Sequence, residues 1–335
     1  MNTSSAFVIS LDFELLWGVF DKVGSKIDKT YFLNTRNTIP KILDLFEKYQ
    51  IQATWATVGM LFAENEEEWL SYQPEYKPSY RNPAFSAYEW TTKNGLDKDL
   101  HFAFQLIEEI FKTPGQEIGS HTFAHYYTLM RGQTPLQFRK DLQAAQRIAK
   151  EKLGISLQSL VFPRNHMHLQ YLSICKQEGF DFVRGNPLNW YWQETQHESL
   201  LKKVSRTVDC FIPIGTSSLV TPAQIYPYEN GPWIVPASRL LRPHKESNTL
   251  INKLRIQRIL NELTLSAQSK KMYHLWWHPH NFGKNPQTSL QELEQILQHF
   301  QLLKSKYGME SHSMKSLISS SMHDTSAGLI TPQIH

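Results

Sequence analysis

The feature that most constrains the fold is an alternation of short apolar runs with longer amphipathic stretches along most of the chain. The apolar runs predict strands at residues 6–12, 51–58, 117–120, 157–162, 180–184 and 272–277. The amphipathic stretches predict helices from about residue 34 to 50, at 100–111, 135–153, up to 179, at 199–210, 247–269 and 290–306. Such alternation is typical of βα units, so we expect an α/β fold built as one irregular barrel.

Two segments fall outside this alternation. Residues 63–97 combine acidic residues, three prolines and many aromatic residues without a clear period. Long loops in compact domains are usually functional or disordered, and the aromatic content favours an ordered lid over a disordered linker. The tail at 311–335 is rich in Ser and His and is expected to be loosely ordered. We therefore predict one domain at 1–310 with a lid insertion.

Charge and hydropathy exclude several classes of protein. The net charge of +4 is spread over 35 basic and 31 acidic residues without a long basic run, so nucleic acid is not expected as a partner. No stretch approaches 18 apolar residues, and the polar start at residues 1–5 lacks the features of an export signal. The expected location is the cytoplasm.

Two acids stand at the end of the first predicted strand. Side chains alternate along a strand, so Asp12 and Glu14 point to the same side while Leu11 and Phe13 point to the other. Barrel enzymes build their active sites at the carboxyl ends of their strands. The pair is therefore a candidate for a catalytic or metal-binding site.

A histidine pair follows the strand at 117–120. His121 and His125 are four residues apart, which places them on one face if the segment forms a helical turn, and their ring nitrogens can bind one metal ion. This spacing alone is weak evidence. An acid from another strand end would complete a His-His-carboxylate site with open positions for water.

Two later strand ends add candidate residues. His278 follows the strand at 272–277, and its ordinary pKa of about 6.5 suits a general acid near neutral pH. Arg164 follows the strand at 157–162, where an arginine can keep a carboxylate ionised and oriented. Asn165, Trp277 and His280 lie in the same two segments and are expected to contact the substrate.

Taken in this order, the four segments resemble the polysaccharide deacetylase family with its NodB-homology domain. The element from His121 to His125 carries the most specific match, because the family has His-[Ser/Thr]-x-x-His there. The resemblance implies a distorted (β/α) barrel and a divalent metal ion, most commonly Zn²⁺. It further implies that Asp12 is the base and that Glu14 binds the metal together with the two histidines.

The chain also departs from the family pattern. Many members have adjacent aspartates where this chain has Asp12-Phe13-Glu14, and the family's arginine precedes its proline whereas Arg164 follows Pro163. Either His278 or His280 can fill the place of the late histidine. Trp190 is a candidate for the family's tryptophan element.

The function expected from these motifs is removal of an N-acetyl or other acyl group from an amino sugar. In the cytoplasm such a sugar would be a nucleotide- or lipid-linked precursor or a short glycan, as in capsule or O-antigen biosynthesis. One alternative is hydrolysis of a small cyclic amide or ureide on the same fold. The other is a carbohydrate-binding protein without turnover, against which the presence of a candidate base and a candidate acid argues.

Overall fold

The computed structural model describes residues 4–23, 27–192, 199–211, 214 and 218–318. Its strands are β1 (Ala6–Phe13), β2 (Ala53–Thr57), β3 (Gln116–Ser120), β4 (Ser159–Leu160), β5 (Phe182–Gly185), β6 (Tyr226–Pro227), β7 (Trp233–Pro236), β8 (Arg239–Leu240), β9 (Met272–Trp277) and β10 (Glu310–His312). Its α-helices are α1 (Phe20–Val23), α2 (Lys29–Lys48), α3 (Glu66–Ser71), α4 (Ala87–Asn94), α5 (Lys98–His101), α6 (Phe104–Lys112), α7 (Pro135–Leu153), α8 (Leu169–Gln177), α9 (Leu200–Val208), α10 (Thr249–Ser269) and α11 (Pro286–Tyr307).

The strands form one sheet in the order β6-β7-β5-β4-β3-β2-β1-β9-β8, and β10 pairs with the start of β1. The pairings are parallel except that between β6 and β7. One extended segment, β7 with β8, joins the two sides of the sheet. The amide of Ala237 donates to the carbonyl of Gly185, the last residue of β5, and the amide of Ser238 donates to the carbonyl of His274 in β9. The result is the expected distorted (β/α) barrel.

Helices cover the barrel with their apolar faces. In α2, the side chain of Asp28 caps the amino terminus by accepting a hydrogen bond from the amide of Tyr31. Its buried face includes Ile39, Ile42 and Phe46, each of which is fully buried. Full burial of such side chains contributes about 1.5–3 kcal/mol each. The ring of Phe46 contacts Trp55 in β2 and Trp277 in β9, so α2 packs against the two strands that flank β1.

The predicted strands and helices are present, with shifts at their ends. Helix α2 begins at Lys29, five residues before the expected start, because Asp28 provides the cap. The expected helix at 199–210 is α9, and those at 247–269 and 290–306 are α10 and α11.

The expectation of a lid at residues 63–97 is wrong. This segment contains α3 and α4, and its aromatic residues Trp69, Tyr80 and Tyr88 are buried in the main core. None of residues 63–97 lines the cavity that contains Asp12. These three aromatic side chains are core residues, whereas Tyr76 of the same segment is exposed.

The domain boundary at residue 310 also needs correction. Strand β10 runs to His312 and pairs with β1, residues 314–318 are helical, and Met314 is fully buried. Residues 311–318 are therefore part of the packed domain. The rest of the expected loose tail, residues 319–335, lies outside the described residues. Across the described ranges, no helix has the length and apolar character needed to cross a membrane.

Candidate metal and catalytic site

Glu14 and Asp12 lie at the carboxyl end of β1 and are almost fully buried. Burial alone would raise the pKa of both carboxyl groups. For Asp12, the charges of Arg184 and His121 outweigh burial and lower the pKa, and for Glu14 the neighbouring histidines, chiefly His278, hold the pKa well below its usual range. Both acids are therefore held as carboxylates in a buried place.

The histidine pair lies in a loop and not in the helical turn that its spacing suggested. Thr122 and His125 both have positive φ, at 64° and 52°, so the chain curls back without forming a helix. Backbone hydrogen bonds hold this loop: His121 donates to the carbonyl of Thr57, and the amide of Gly59 donates to the carbonyl of Thr122. The segment from Thr57 to Gly59 thus stabilises a loop geometry that brings the two histidine rings together.

Glu14, His121 and His125 converge on one point. Oε2 of Glu14 lies 3.2 Å from Nε2 of His121 and 3.1 Å from Nε2 of His125, and all three side chains are buried. A tetrahedral zinc site with bonds of about 2.1 Å has neighbouring ligand atoms about 3.4 Å apart. The three side chains therefore fit a divalent metal ion. Gly18 makes room for the carboxylate, because a Cβ at that position would meet Oε1 of Glu14 at 1.9 Å.

Two buried residues support the histidine loop from behind. Nδ1 of His125 lies 3.1 Å from the hydroxyl of Tyr127, which orients the ring so that Nε2 faces Glu14. Such partners fix the ring position of metal-binding histidines. Asp141 accepts hydrogen bonds from the amides of Phe123 and Ala124, at 2.7 and 3.0 Å. Burial raises the pKa of Asp141 to about 7, against the effect of these two donors.

The arginine that pairs with the candidate base is Arg184, on β5, and not Arg164. Arg184 donates from both Nη atoms to the two oxygens of Asp12, at 2.6 and 2.8 Å. Arg164 instead forms an ion pair with Asp21 and lies over the ring of Tyr127. Arg164 lies in the turn after β4, with a φ of 57°. The assignment of Arg164 to the base is therefore corrected.

Further contacts fix the position of Arg184. It donates to Oγ of Ser10 and to Oδ1 of Asn165, each at 3.1 Å, and it packs over the ring of Trp276. The Ser10 hydroxyl also lies 2.8 Å from Nε2 of His274, whose Nδ1 faces the carbonyl of Pro236. Burial lowers the pKa of His274 to about 3, so this ring is neutral. Its Nδ1 donates to the Pro236 carbonyl, and its Nε2 accepts a hydrogen bond from the Ser10 hydroxyl. Asn165 thus contacts Arg184 directly.

The two late histidines both face the acids. Nε2 of His278 lies 3.6 Å from Oδ2 of Asp12 and 3.7 Å from Oε1 of Glu14, and its side chain is 26% exposed. Nδ1 of His280 lies 3.7 Å from Oε1 of Glu14, and its side chain is only 8% exposed. Burial lowers the pKa of His280 to about 4. Of the two, His278 is the one that an incoming substrate reaches more easily.

A cavity of about 550 Å³ opens over these side chains. Asp12, Glu14, His125, His278 and His280 line it, together with Arg164, Asn165 and Trp276. This size falls in the range of small-molecule sites.

Trp277 does not face the cavity, which corrects its predicted contact with substrate. It is fully buried and stacks on Phe282. The register explains this: Ser10 pairs with Trp276 and Leu11 pairs with Trp277, so Trp276 shares the interior side of the barrel with Asp12. Trp190 is half exposed on the surface and does not line the cavity.

Sequence reasoning missed Arg184, Trp276 and Ser10. A signal was present for Arg184, because it is a charged residue near the end of an apolar predicted strand, the same position that singled out Asp12.

The family model for polysaccharide deacetylases matches residues 19–183. This range contains His121 and His125, but it begins after Glu14 and ends before Arg184. No curated protein matches the chain by sequence.

Solved structures share the fold. A proposed polysaccharide deacetylase from Mycobacterium smegmatis aligns with a TM-score of 0.59 at 12% identity, over 99% of this chain and 96% of that one. A second, from Pseudomonas aeruginosa, aligns at 0.50 and 12% identity over 89% and 86%. A GH57-type branching enzyme from the archaeon Pyrococcus horikoshii aligns at 0.51 and 10% identity over 95% and 70%. At these identities the likeness concerns the fold alone. The family model thus matches residues 19–183 of this chain and confirms the motif resemblance to the polysaccharide deacetylase family.

Proposed function

We propose that this protein is a metal-dependent deacetylase that hydrolyses the N-acetyl group, or another acyl group, of an amino sugar. The observation that carries the proposal is the convergence of Glu14, His121 and His125 beside an acid, Asp12, held ionised by Arg184. The family match supports the reaction class. A carbohydrate-binding protein without turnover would not need a buried carboxylate that is oriented in this way.

Glu14, His121 and His125 would hold the divalent ion, for which Zn²⁺ is our choice from the ligand set, and its chemistry is to polarise a carbonyl and lower the pKa of water. Asp12 accepts a proton from the attacking water, since Arg184 keeps its carboxylate charged and fixed. His278 donates a proton to the departing nitrogen, which an amide requires because a bare amide anion is a very poor leaving group. Asn165, His280 and Trp276 line the space for the sugar.

The expected substrate is a small glycan or a nucleotide- or lipid-linked precursor in surface polysaccharide biosynthesis, such as that of a capsule or O-antigen. The cavity supports this choice. Its volume of about 550 Å³ is typical of a pocket for a small ligand, whereas a long polymer would need an open groove. The proposal places the enzyme in the cytoplasm, where nucleotide-linked sugars are made, and fractionation of cells checks that location.

Acetate release tests the function. The full-length protein is assayed on N-acetylglucosamine, its short oligomers and polymeric chitin, as purified, after chelation and after Zn²⁺ is restored. We expect release from the short substrates that chelation abolishes and Zn²⁺ restores. His299→Ala is a matched control, since His299 lies on α11 outside the cavity. Hydrolysis of a cyclic ureide such as allantoin but of no acetylated sugar would favour the alternative enzyme, and sugar binding without any turnover would contradict both.

A further inference from the structure

The cavity wall carries more positive charge than the proposed reaction uses. Its two acids are already committed: Asp12 to Arg184, and Glu14 to the histidine cluster. Arg164 is neutralised by Asp21. Two further cationic side chains line the cavity, Lys22 and Arg242, and none of these pairs neutralises them.

Neither of these cations has an acidic partner among the described residues. Lys22 lies on α1 and is exposed. Arg242 is half-buried, and its Nη2 donates 3.2 Å to a neutral group, the carbonyl of Arg206, while its Nε has no hydrogen-bond partner in the described part of the chain.

The backbone of Arg242 is held in place beside the site. The preceding amide, that of Leu241, donates to the carbonyl of Trp276, and Trp276 lines the same cavity. The Arg242 carbonyl accepts a hydrogen bond from Arg255, which is itself paired with Glu292. The Arg242 guanidinium therefore lies at the cavity without an acidic partner among the described residues. An anionic ligand would neutralise its charge and accept its hydrogen bonds.

We propose that Lys22 and Arg242 bind a phosphate or diphosphate group on the acylated amino sugar. This inference rests on the proposed function and narrows its substrate class from amino sugars in general to anionic ones. An arginine fork and a lysine ammonium are a common pair for phosphate oxygens. A phosphate placed there leaves the acyl group free to reach Glu14 and Asp12. The phosphate can belong to a soluble nucleotide or to a lipid carrier.

Binding by calorimetry tests the subsite independently of turnover. The metal-loaded protein is titrated with N-acetylglucosamine and with N-acetylglucosamine 1-phosphate, and the readout is the ratio of the two affinities. We expect the phosphorylated sugar to bind at least about tenfold more tightly, and Lys22→Gln and Arg242→Gln each to reduce that ratio several-fold. The ratio should also fall at high salt, because the lysine is exposed. Lys93→Gln, an exposed lysine outside this cavity, is the control and should keep the ratio.

An equal affinity for both sugars would overturn the inference. So would a phosphate preference that survives in the double variant, since the phosphate would then bind the metal ion. If acetate is never released but the affinity ratio depends on Lys22 and Arg242, the phosphate subsite is supported and the deacetylase proposal fails. If acetate is released but the ratio does not depend on these residues, the deacetylase proposal is supported and the phosphate subsite fails. A comparison of two ligands identifies the source of the phosphate. Tighter binding of UDP-N-acetylglucosamine indicates a soluble nucleotide, and tighter binding of a polyprenyl diphosphate N-acetylglucosamine in phosphatidylcholine vesicles indicates a lipid carrier.

Discussion

Replacing Arg184 with Met removes the only cation that hydrogen-bonds to Asp12 among the described residues. Both side chains are almost fully buried, and two charge-assisted hydrogen bonds join them. Breaking a buried ion pair from one side costs about 3–5 kcal/mol of unfolding free energy, because the remaining carboxylate must either stay charged without that partner or take up a proton. We expect a loss of this size at neutral pH in Arg184→Met, measured by denaturant unfolding.

The same change should alter the pH dependence. In the wild type the pKa of Asp12 is lowered in the folded state, so Asp12 stabilises the fold above its unfolded pKa, and this contribution is lost as the pH falls through the folded pKa. Without Arg184, burial raises the pKa of Asp12, and each unit corresponds to about 1.4 kcal/mol. Asp12 then takes up a proton and cannot act as a base. Acetate release should fall by about 10²–10⁴ near neutral pH and recover partly at higher pH.

A double-mutant cycle with Asp12→Asn gives the decisive test. If the two residues form one unit, Arg184→Met should cost much less when Asp12 is already neutral, with a coupling of up to about 3 kcal/mol. Arg164→Met is the matched control, because Arg164 pairs with Asp21 and should show no coupling to Asp12. Additive losses for Arg184 and Asp12, or coupling of Asp12 to Arg164 instead, would refute the reasoning.

Three further changes separate the roles of the other residues. Asp12→Asn should retain the metal, measured by elemental analysis, but lose most turnover, and loss of the metal would assign Asp12 to the metal site instead. His278→Ala should slow amide hydrolysis more than hydrolysis of an activated ester, since a good leaving group does not need the acid; if His280→Ala gives that pattern and His278→Ala does not, the acid is His280. Gly18→Ala should weaken metal binding about 10–100-fold by displacing Glu14, and unchanged affinity would show that the carboxylate does not need that space.

Local sequence patterns were sufficient to predict the barrel and several of the residues that come together at the candidate site. The alternation of apolar and amphipathic stretches depends on side-chain periods that the chain carries locally. Likewise strand alternation predicts that Asp12 and Glu14 lie on one side, and the structure brings Glu14 to His121 and His125 and places Asp12 beside His278.

The rest depends on contacts between distant parts of the chain. Asp12 and Arg184 are 172 residues apart, and no local pattern states which of two arginines at neighbouring strand ends reaches the acid. In the structure Arg184 reaches Asp12 from β5, whereas Arg164 pairs with Asp21. For residues 63–97, composition does not distinguish a lid from a core segment, because aromatic side chains are common in both.

The orientation of Trp277, by contrast, follows from strand alternation. Alternation along β9 places residues 276 and 278 on one side and residue 277 on the other, so a cavity-facing His278 already implied that Trp276 faces the cavity. The alternation of side chains along β9 is therefore enough to assign Trp276, and not Trp277, to the cavity.

The metal content of the purified protein tests the central claim most directly. Elemental analysis of the wild type, of the His121→Ala/His125→Ala double variant and of the His299→Ala control compares one candidate site with a histidine outside it. Because the three ligands act together, we expect about one divalent ion per chain in the wild type and the control, and almost none in the double variant. Full occupancy in a folded double variant, or a folded wild type that binds no divalent ion when Zn²⁺ is supplied, would contradict the account.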